Sequence, residues 1–110
     1  MLGCGTSGGV PRIGGKDGAG DWGACNPANP KNRRRRWSIL VENGPTRVLV
    51  DTSPDCREQL IDAKVNRLDA VIWTHEHADQ LHGVDDPRAL ALRQGPIDGW
   101  ADERTWKILR

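Results

Sequence analysis

A chain of 110 residues has room for one hydrophobic core and no second domain. With 36% hydrophobic residues its composition is ordinary for a globular protein, and no stretch approaches the roughly eighteen apolar residues that a membrane-spanning helix needs. The formal charge of +1 is unevenly spread: residues 12–47 carry eight basic and three acidic side chains and residues 48–110 eight and twelve, a basic front and an acidic back that suit an anionic substrate or, equally, a solvated surface.

Leu2-Gly3-Cys4 reads as the stub of a strand, running into Gly5-Thr6-Ser7-Gly8-Gly9-Val10-Pro11 as though something upstream were missing. From Gly5 to Arg36 the glycine, proline, asparagine, aspartate and arginine content excludes a regular element, and a long loop of this kind is functional or disordered. Its glycine-rich start is a weak candidate for a nucleotide-binding turn, because no helix-forming sequence follows. Arg33 to Arg36 close the loop. A basic run just before a strand predicts a solvated loop end with one arginine turned inward, the alternative being a contact to substrate phosphate.

Trp37 to Val41 and Arg47 to Asp51 flank Asn43-Gly44-Pro45-Thr46 and predict two antiparallel strands joined by a hairpin turn. Ser53, Pro54 and Asp55 predict a helix start, with Cys56, Leu60 and Ala63 along one face and an end near Lys64. Leu68 to Trp73 is an apolar run of strand length that predicts a buried strand. Asp85 or Asp86 with Pro87 predicts a second capped helix over 88–93, and Asp102 a final one through Trp106, Ile108 and Leu109. Only 22 residues are Leu, Ile or Val, and there is no Phe or Tyr, so five tryptophans must supply the bulk of a marginal core.

Cys4, Cys25 and Cys56 are an odd number at wide spacing, which predicts no disulfide framework and no paired-cysteine zinc site. Cys4 and Cys56 read as small buried hydrophobes. A reducing compartment is the default, and the N-terminus lacks the pattern of a secretory signal, so a cytoplasmic location is expected.

All three histidines, His75, His77 and His82, fall within eight residues, with Asp79 between them and a predicted buried strand just before. In an extended segment side chains at i and i+2 point the same way, so His75, His77 and Asp79 can converge on one point. Imidazole plus carboxylate is the ligand mixture of a catalytic zinc or manganese centre, where the ion lowers the pKa of bound water towards about 7 and supplies hydroxide as nucleophile.

The order strand, His75-x-His77-x-Asp79, then a glycine opening a helical segment resembles the first metal motif of the metallo-β-lactamase superfamily. Leu2 to Pro11 is similar to the opening strand and loop of its phosphodiesterase branch, which includes the cyclic phosphodiesterase of the carbon–phosphorus lyase pathway, and Val50 to Asp55 to the turn before the first helix. The resemblance implies an α/β fold, the N-terminal half of an αββα sandwich, with residues 1–110 a partial domain whose C-terminal half is absent. It implies His75 and His77 as ligands of a first ion, Asp79 as ligand of a second and the catalytic group orienting the attacking water, Asp51 as a support behind the ligands, and the glycine-rich loop close to the ion.

The family pattern continues with a histidine where this chain has Gln80, a poor ligand, which puts the second ion in question. His82, three residues after Asp79, would share its face in a helix and replace the missing ligand, or else pack or bind substrate phosphate. Some relatives build a structural zinc site from closely spaced cysteines in the first long loop; only Cys25 stands there, so none is expected.

The expected function is a metal-dependent hydrolase, foremost a phosphodiesterase, using one or two zinc or manganese ions on a phosphorylated small molecule or nucleotide-like substrate. A membrane partner is not expected. The alternatives are a ribonuclease of the tRNA-processing kind and a non-enzymatic relative with a partial metal site, like the pyrroloquinoline-quinone biosynthesis proteins, which Gln80 favours. The 110 residues alone are expected to bind metal weakly, turn over negligibly and expose an apolar sheet surface. Neither substrate-binding residues nor oligomeric state is legible.

Overall fold

In the computed structural model, which describes residues 1–109, regular structure begins with β1 (Ile39–Asn43) and β2 (Thr46–Val50), paired antiparallel with Asn43 opposite Thr46. Only Gly44 and Pro45 lie between them. Gly44 has φ +59° and proline's φ is fixed negative, the combination a type II′ hairpin turn requires. β3 (Ala70–Ile72) then pairs parallel to β2, and β4 (Asp98–Trp100) parallel to β3, giving a four-stranded mixed sheet in the order β1-β2-β3-β4.

Parallel neighbours need long crossovers, and the chain supplies helices there. α1 (Cys56–Asp62) joins β2 to β3; α2 (Ala78–Leu81) and α3 (Arg88–Gln94) join β3 to β4; α4 (Glu103–Leu109) follows. Leu49 and Val71, adjacent in register, bury the helix-covered face of the sheet together with Cys56, Leu60 and Leu68. The other face carries Ile39, Val50, Ile72 and Trp100 in one row and Val41, Val48 and Ala70 in the next. It is uncovered: Val41, Ile72 and Trp100 are 50%, 40% and 62% exposed. The expected apolar sheet surface is therefore present.

Several boundaries differ from the sequence expectation. α1 starts at Cys56, because Ser53 spends its hydroxyl on the Asp55 N–H (3.1 Å) and its carbonyl on the Cys56 N–H in a tight turn. Gln59 joins Cys56 and Leu60 on the buried face, whereas Ala63 is exposed at the helix end. β3 is shorter than 68–73 because Asp69 turns its carboxylate to the Arg47 N–H (2.7 Å), while the Leu68 backbone N–H donates to Gln94 Oε1 (3.0 Å). Neither Asp85 nor Asp86 caps α3; Asp86 instead accepts the Arg57 N–H at 3.0 Å, tying α1 to the α3 entry. Asp102 does cap α4, accepting the Thr105 N–H at 2.8 Å. β4 was not expected, since aspartate and glycine are depleted in strands; Gly99 is needed there because a Cβ would meet the Trp73 ring at 2.8 Å.

The long loop is tied down more than its composition suggests. Single bridges link Gly3 to Ser38, Val10 to Arg34 and Arg12 to Asp21, and a 3-10 turn spans Pro30–Asn32. The close approach that Gly3 permits is to Arg36, whose carbonyl oxygen would lie 2.1 Å from a Cβ. Arg36 is the arginine turned inward, gripping both carboxylate oxygens of Asp55 at 2.7 and 2.9 Å. Cys4 is exposed rather than buried, 2.9 Å from an Arg34 guanidinium nitrogen, whereas Cys56 is buried as expected.

Candidate metal centre

Asp51, at the end of β2, sits at φ +62°, a left-handed conformation that asparagine and aspartate tolerate better than other side-chain-bearing residues. The turn swings its fully buried carboxylate across to the end of β3, where it accepts the Thr74 N–H (2.8 Å) and the Thr74 O–H (2.7 Å). Burial pushes the Asp51 carboxyl up from its ordinary value, and the two Thr74 bonds oppose that rise.

This pair sets the proton on His75. Thr74 Oγ1 lies 2.9 Å from His75 Nδ1 and gives its hydrogen to Asp51, so it meets that nitrogen as an acceptor, an arrangement that suits a proton on Nδ1 and turns Nε2 to the role of ligand. His77 stands beside it, ring centroids 4.5 Å apart at an interplanar angle of 80°.

The other end of the segment is held by the residue after Asp51. Thr52 donates its N–H (2.9 Å) and Oγ1–H (3.1 Å) to the Gln80 carbonyl, and Trp73 Nε1–H donates to Thr52 Oγ1 at 2.9 Å. Gly83 completes the clamp: its N–H donates to the Thr52 carbonyl at 3.1 Å, and a Cβ there would lie 2.1 Å from the Ser53 carbonyl oxygen. Residues 74 to 83 are thus fixed at both ends by the single turn 51–53. Asp79, partly exposed in α2, accepts from Gln80 Nε2 at 2.9 Å.

His82 points elsewhere. It is exposed and lines a cavity of about 280 Å³ with Glu76, Leu81 and Ile108, against α4. Glu76, between the two histidines, is drawn to the same side by Arg104 at 2.8 Å. Among the described residues no three His, Cys, Asp or Glu side chains stand close enough together to hold an ion, so the structure pairs His75 with His77 and leaves Asp79 and His82 outside that pair.

The spacing of the pair is compatible with two imidazoles on one ion, and equally with edge-to-face contact of two rings. Two imidazoles bound through nitrogen at about 2.1 Å, with ring centres roughly 3.2 Å from the ion and an angle between about 90° and 110°, have centroids about 4.5–5.2 Å apart. The observed 4.5 Å lies at the lower edge of that range. Thr52, Thr74 and Gln80 were not singled out as supports; the only sequence signal for them is their adjacency to Asp51, His75 and Asp79. Among the described residues no helix is long and apolar enough to cross a membrane.

The chain is similar to known proteins in sequence and in fold. A family described as the beta-lactamase superfamily domain matches residues 46–110. The crystal structure of a diphosphatase from the PhnP family superposes with a TM-score of 0.86 at 39% identity, covering 98% of this chain and 42% of that one. An octanoyltransferase of Porphyromonas gingivalis is 40% identical over 91 residues, 82% of this chain and 18% of that protein. The exodeoxyribonuclease WalJ of Streptococcus pneumoniae is 35% identical over 77 residues, 66% of this chain and 27% of that protein. The chain therefore spans less than half the length of each of these proteins.

Proposed function

Because the chain belongs to the beta-lactamase superfamily, we propose that it forms part of a metal-dependent hydrolase acting at a phosphoryl centre, foremost a phosphodiester. The observation that carries the reading is the hydrogen-bond chain Asp51–Thr74–His75, which engages Nδ1 of one imidazole and leaves Nε2 as the ligand nitrogen beside a second imidazole. The PhnP-family diphosphatase and the WalJ exodeoxyribonuclease support a phosphorylated substrate, since both are named for cleavage at phosphorus.

His75 and His77 would hold a zinc or manganese ion, with Asp79 as a further donor and further ligands from outside these residues in a polypeptide of the relatives' length. Such an ion supplies Lewis acidity and lowers the pKa of water towards about 7. Asp51 would fix the His75 tautomer through Thr74. Asp79, with one carboxylate oxygen held by Gln80, would use the other on the ion or to orient the attacking water.

Nucleic-acid cleavage is a second reading, favoured by one observation: of the four consecutive arginines, Arg35 and Arg36 are paired with Asp62 and Asp55, while Arg33 and Arg34 are exposed and Arg33 stacks on Trp22 at 5.5 Å.

The test is hydrolysis of bis(4-nitrophenyl) phosphate by the longest natural polypeptide containing these residues, before and after chelation, with zinc or manganese restored. Loss on chelation, recovery on addition and inactivity of His75→Ala and His77→Ala are expected. Turnover indifferent to chelation or to both substitutions would exclude this centre. Activity confined to oligonucleotides, declining steeply with salt, would select the second reading.

A further inference from the structure

The helix layer carries a groove that the histidine segment does not use. It runs between α1 and α3, has a volume of about 530 Å³, and is lined at its base by Leu60, Val65 and Leu90, which belong to the core or pack against it. Two large aliphatic side chains of the same lining stand in water, Ile61 of α1 at 55% exposed and Leu92 of α3 at 78%. An exposed leucine alone is ordinary, but this one borders an apolar hollow. A knob beside a hollow is complementary in shape to a second copy of the same surface.

The charges point the same way. Arg57 and Arg88 line the groove together with Asp85 and Asp86, two of each sign. A partner of a single sign, such as a nucleic acid or an acidic membrane, would be repelled there as much as attracted. Arg57 is engaged with Glu58, and Asp86 accepts the Arg57 N–H, but the exposed Asp85 and Arg88 make no ion pair among the described residues. Across a two-fold axis residue i meets j and j meets i, so Arg88 of one copy and Asp85 of the other would pair twice. Arg88 and Leu92 are one turn apart in α3, which puts the charged and the apolar contact on one face. The uncovered face of the sheet is on the opposite side from these helices, so a segment that covers it leaves the groove free.

We propose that the α1–α3 groove is the interface of a homodimer, in which Leu92 of each copy enters the groove of the other and Arg88 pairs with Asp85 across the axis. The inference is independent of the reading of the histidines.

The experiment is sedimentation equilibrium of the longest natural polypeptide containing these residues, over a range of concentrations. The wild type should be a dimer that dissociates on dilution. Leu92→Glu should weaken it about 30-fold or more, the effect of losing an apolar anchor at the centre of an interface. Asp85→Arg and Arg88→Asp should each weaken it, and the two together should restore it, because the exchanged charges again meet across the axis. Thermal midpoints measured at dilutions where every protein is monomeric should agree between wild type and Leu92→Glu.

A monomeric wild type, or a dimer indifferent to Leu92→Glu and to both charge reversals, would overturn the proposal. A lower midpoint of monomeric Leu92→Glu would also overturn it, since the groove would then be filled by another segment of the same polypeptide. None of these outcomes bears on hydrolysis of bis(4-nitrophenyl) phosphate, which tests the histidines separately.

Discussion

Thr74 gives both its backbone and its side-chain hydrogen to one carboxylate, that of Asp51, at 2.8 and 2.7 Å, across the ends of two parallel strands. With that hydrogen given to Asp51, the hydroxyl faces the neighbouring His75 Nδ1 as an acceptor, which favours the Nδ1–H tautomer. Replacing Asp51 with asparagine would reverse that logic. The amide oxygen can keep the Thr74 N–H, but the NH₂ must donate to Thr74 Oγ1, whose own hydrogen then turns to His75 Nδ1 and moves the imidazole proton to Nε2. Nitrogen-15 NMR of the imidazole should report the switch, with metal affinity down about 10–100-fold. An Asp51→Asn protein whose His75 still carries its proton on Nδ1 contradicts the relay. Asp51→Ala should in addition cost about 1–3 kcal/mol in urea unfolding, because the Thr74 N–H loses its partner.

The cap of α4 gives a pH dependence. The Thr105 N–H, foremost, holds the Asp102 carboxyl below its ordinary 3.8. A folded pKa below the unfolded one means that the stabilisation is complete above 3.8 and is lost as pH falls through the lowered folded value. The difference in thermal midpoint between wild type and Asp102→Ala should therefore have an acid-labile part, constant from neutrality down to about the ordinary carboxylate pKa and shrinking below it. A gap that widens in acid would refute the assignment.

The two faces of the sheet should respond oppositely to substitution. Leu49 is 0% exposed, and Leu49→Ala should cost about 2–5 kcal/mol, transfer and cavity terms together. Ile72, one strand over on the open face and 40% exposed, should tolerate Ile72→Lys in this 110-residue chain with little loss of stability and less binding of an apolar dye. Equal destabilisation by both would mean that the open face is covered.

The cysteines should separate by reactivity. Burial pushes the Cys56 thiol up to about 12, whereas Cys4 and Cys25 are exposed. A thiol reagent in mildly alkaline buffer should label Cys4 and Cys25 quickly and Cys56 only at the rate of unfolding. Three fast reactions would place Cys56 outside the core.

The elements with strong local signals were readable: the Gly44-Pro45 hairpin, the apolar run containing β3, the Asp102 cap and the inward arginine just before β1. So was the spacing His75-x-His77, because alternation in an extended segment is a covalent property of the backbone. β4 was hidden because Asp98-Gly99-Trp100 has no strand propensity of its own and is a strand only by pairing with β3. The Asp86 contact to Arg57 was equally hidden, since a carboxylate's choice between its own helix end and a distant N–H depends on what folding brings near.

By itself the sequence determined the element types, the two adjacent imidazoles and a carboxylate two residues beyond them, all of which follow from bonded neighbours and short-range periodicity. Only the tertiary structure decided that Asp51 and Thr52 clamp the two ends of that segment, that Thr74 bridges Asp51 to His75 Nδ1, that Gln80 holds Asp79 and that His82 faces α4. Each of these is a hydrogen bond or contact between groups that the parallel pairing of β2 with β3 and the docking of the helices bring together, and no local pattern encodes which donor meets which acceptor.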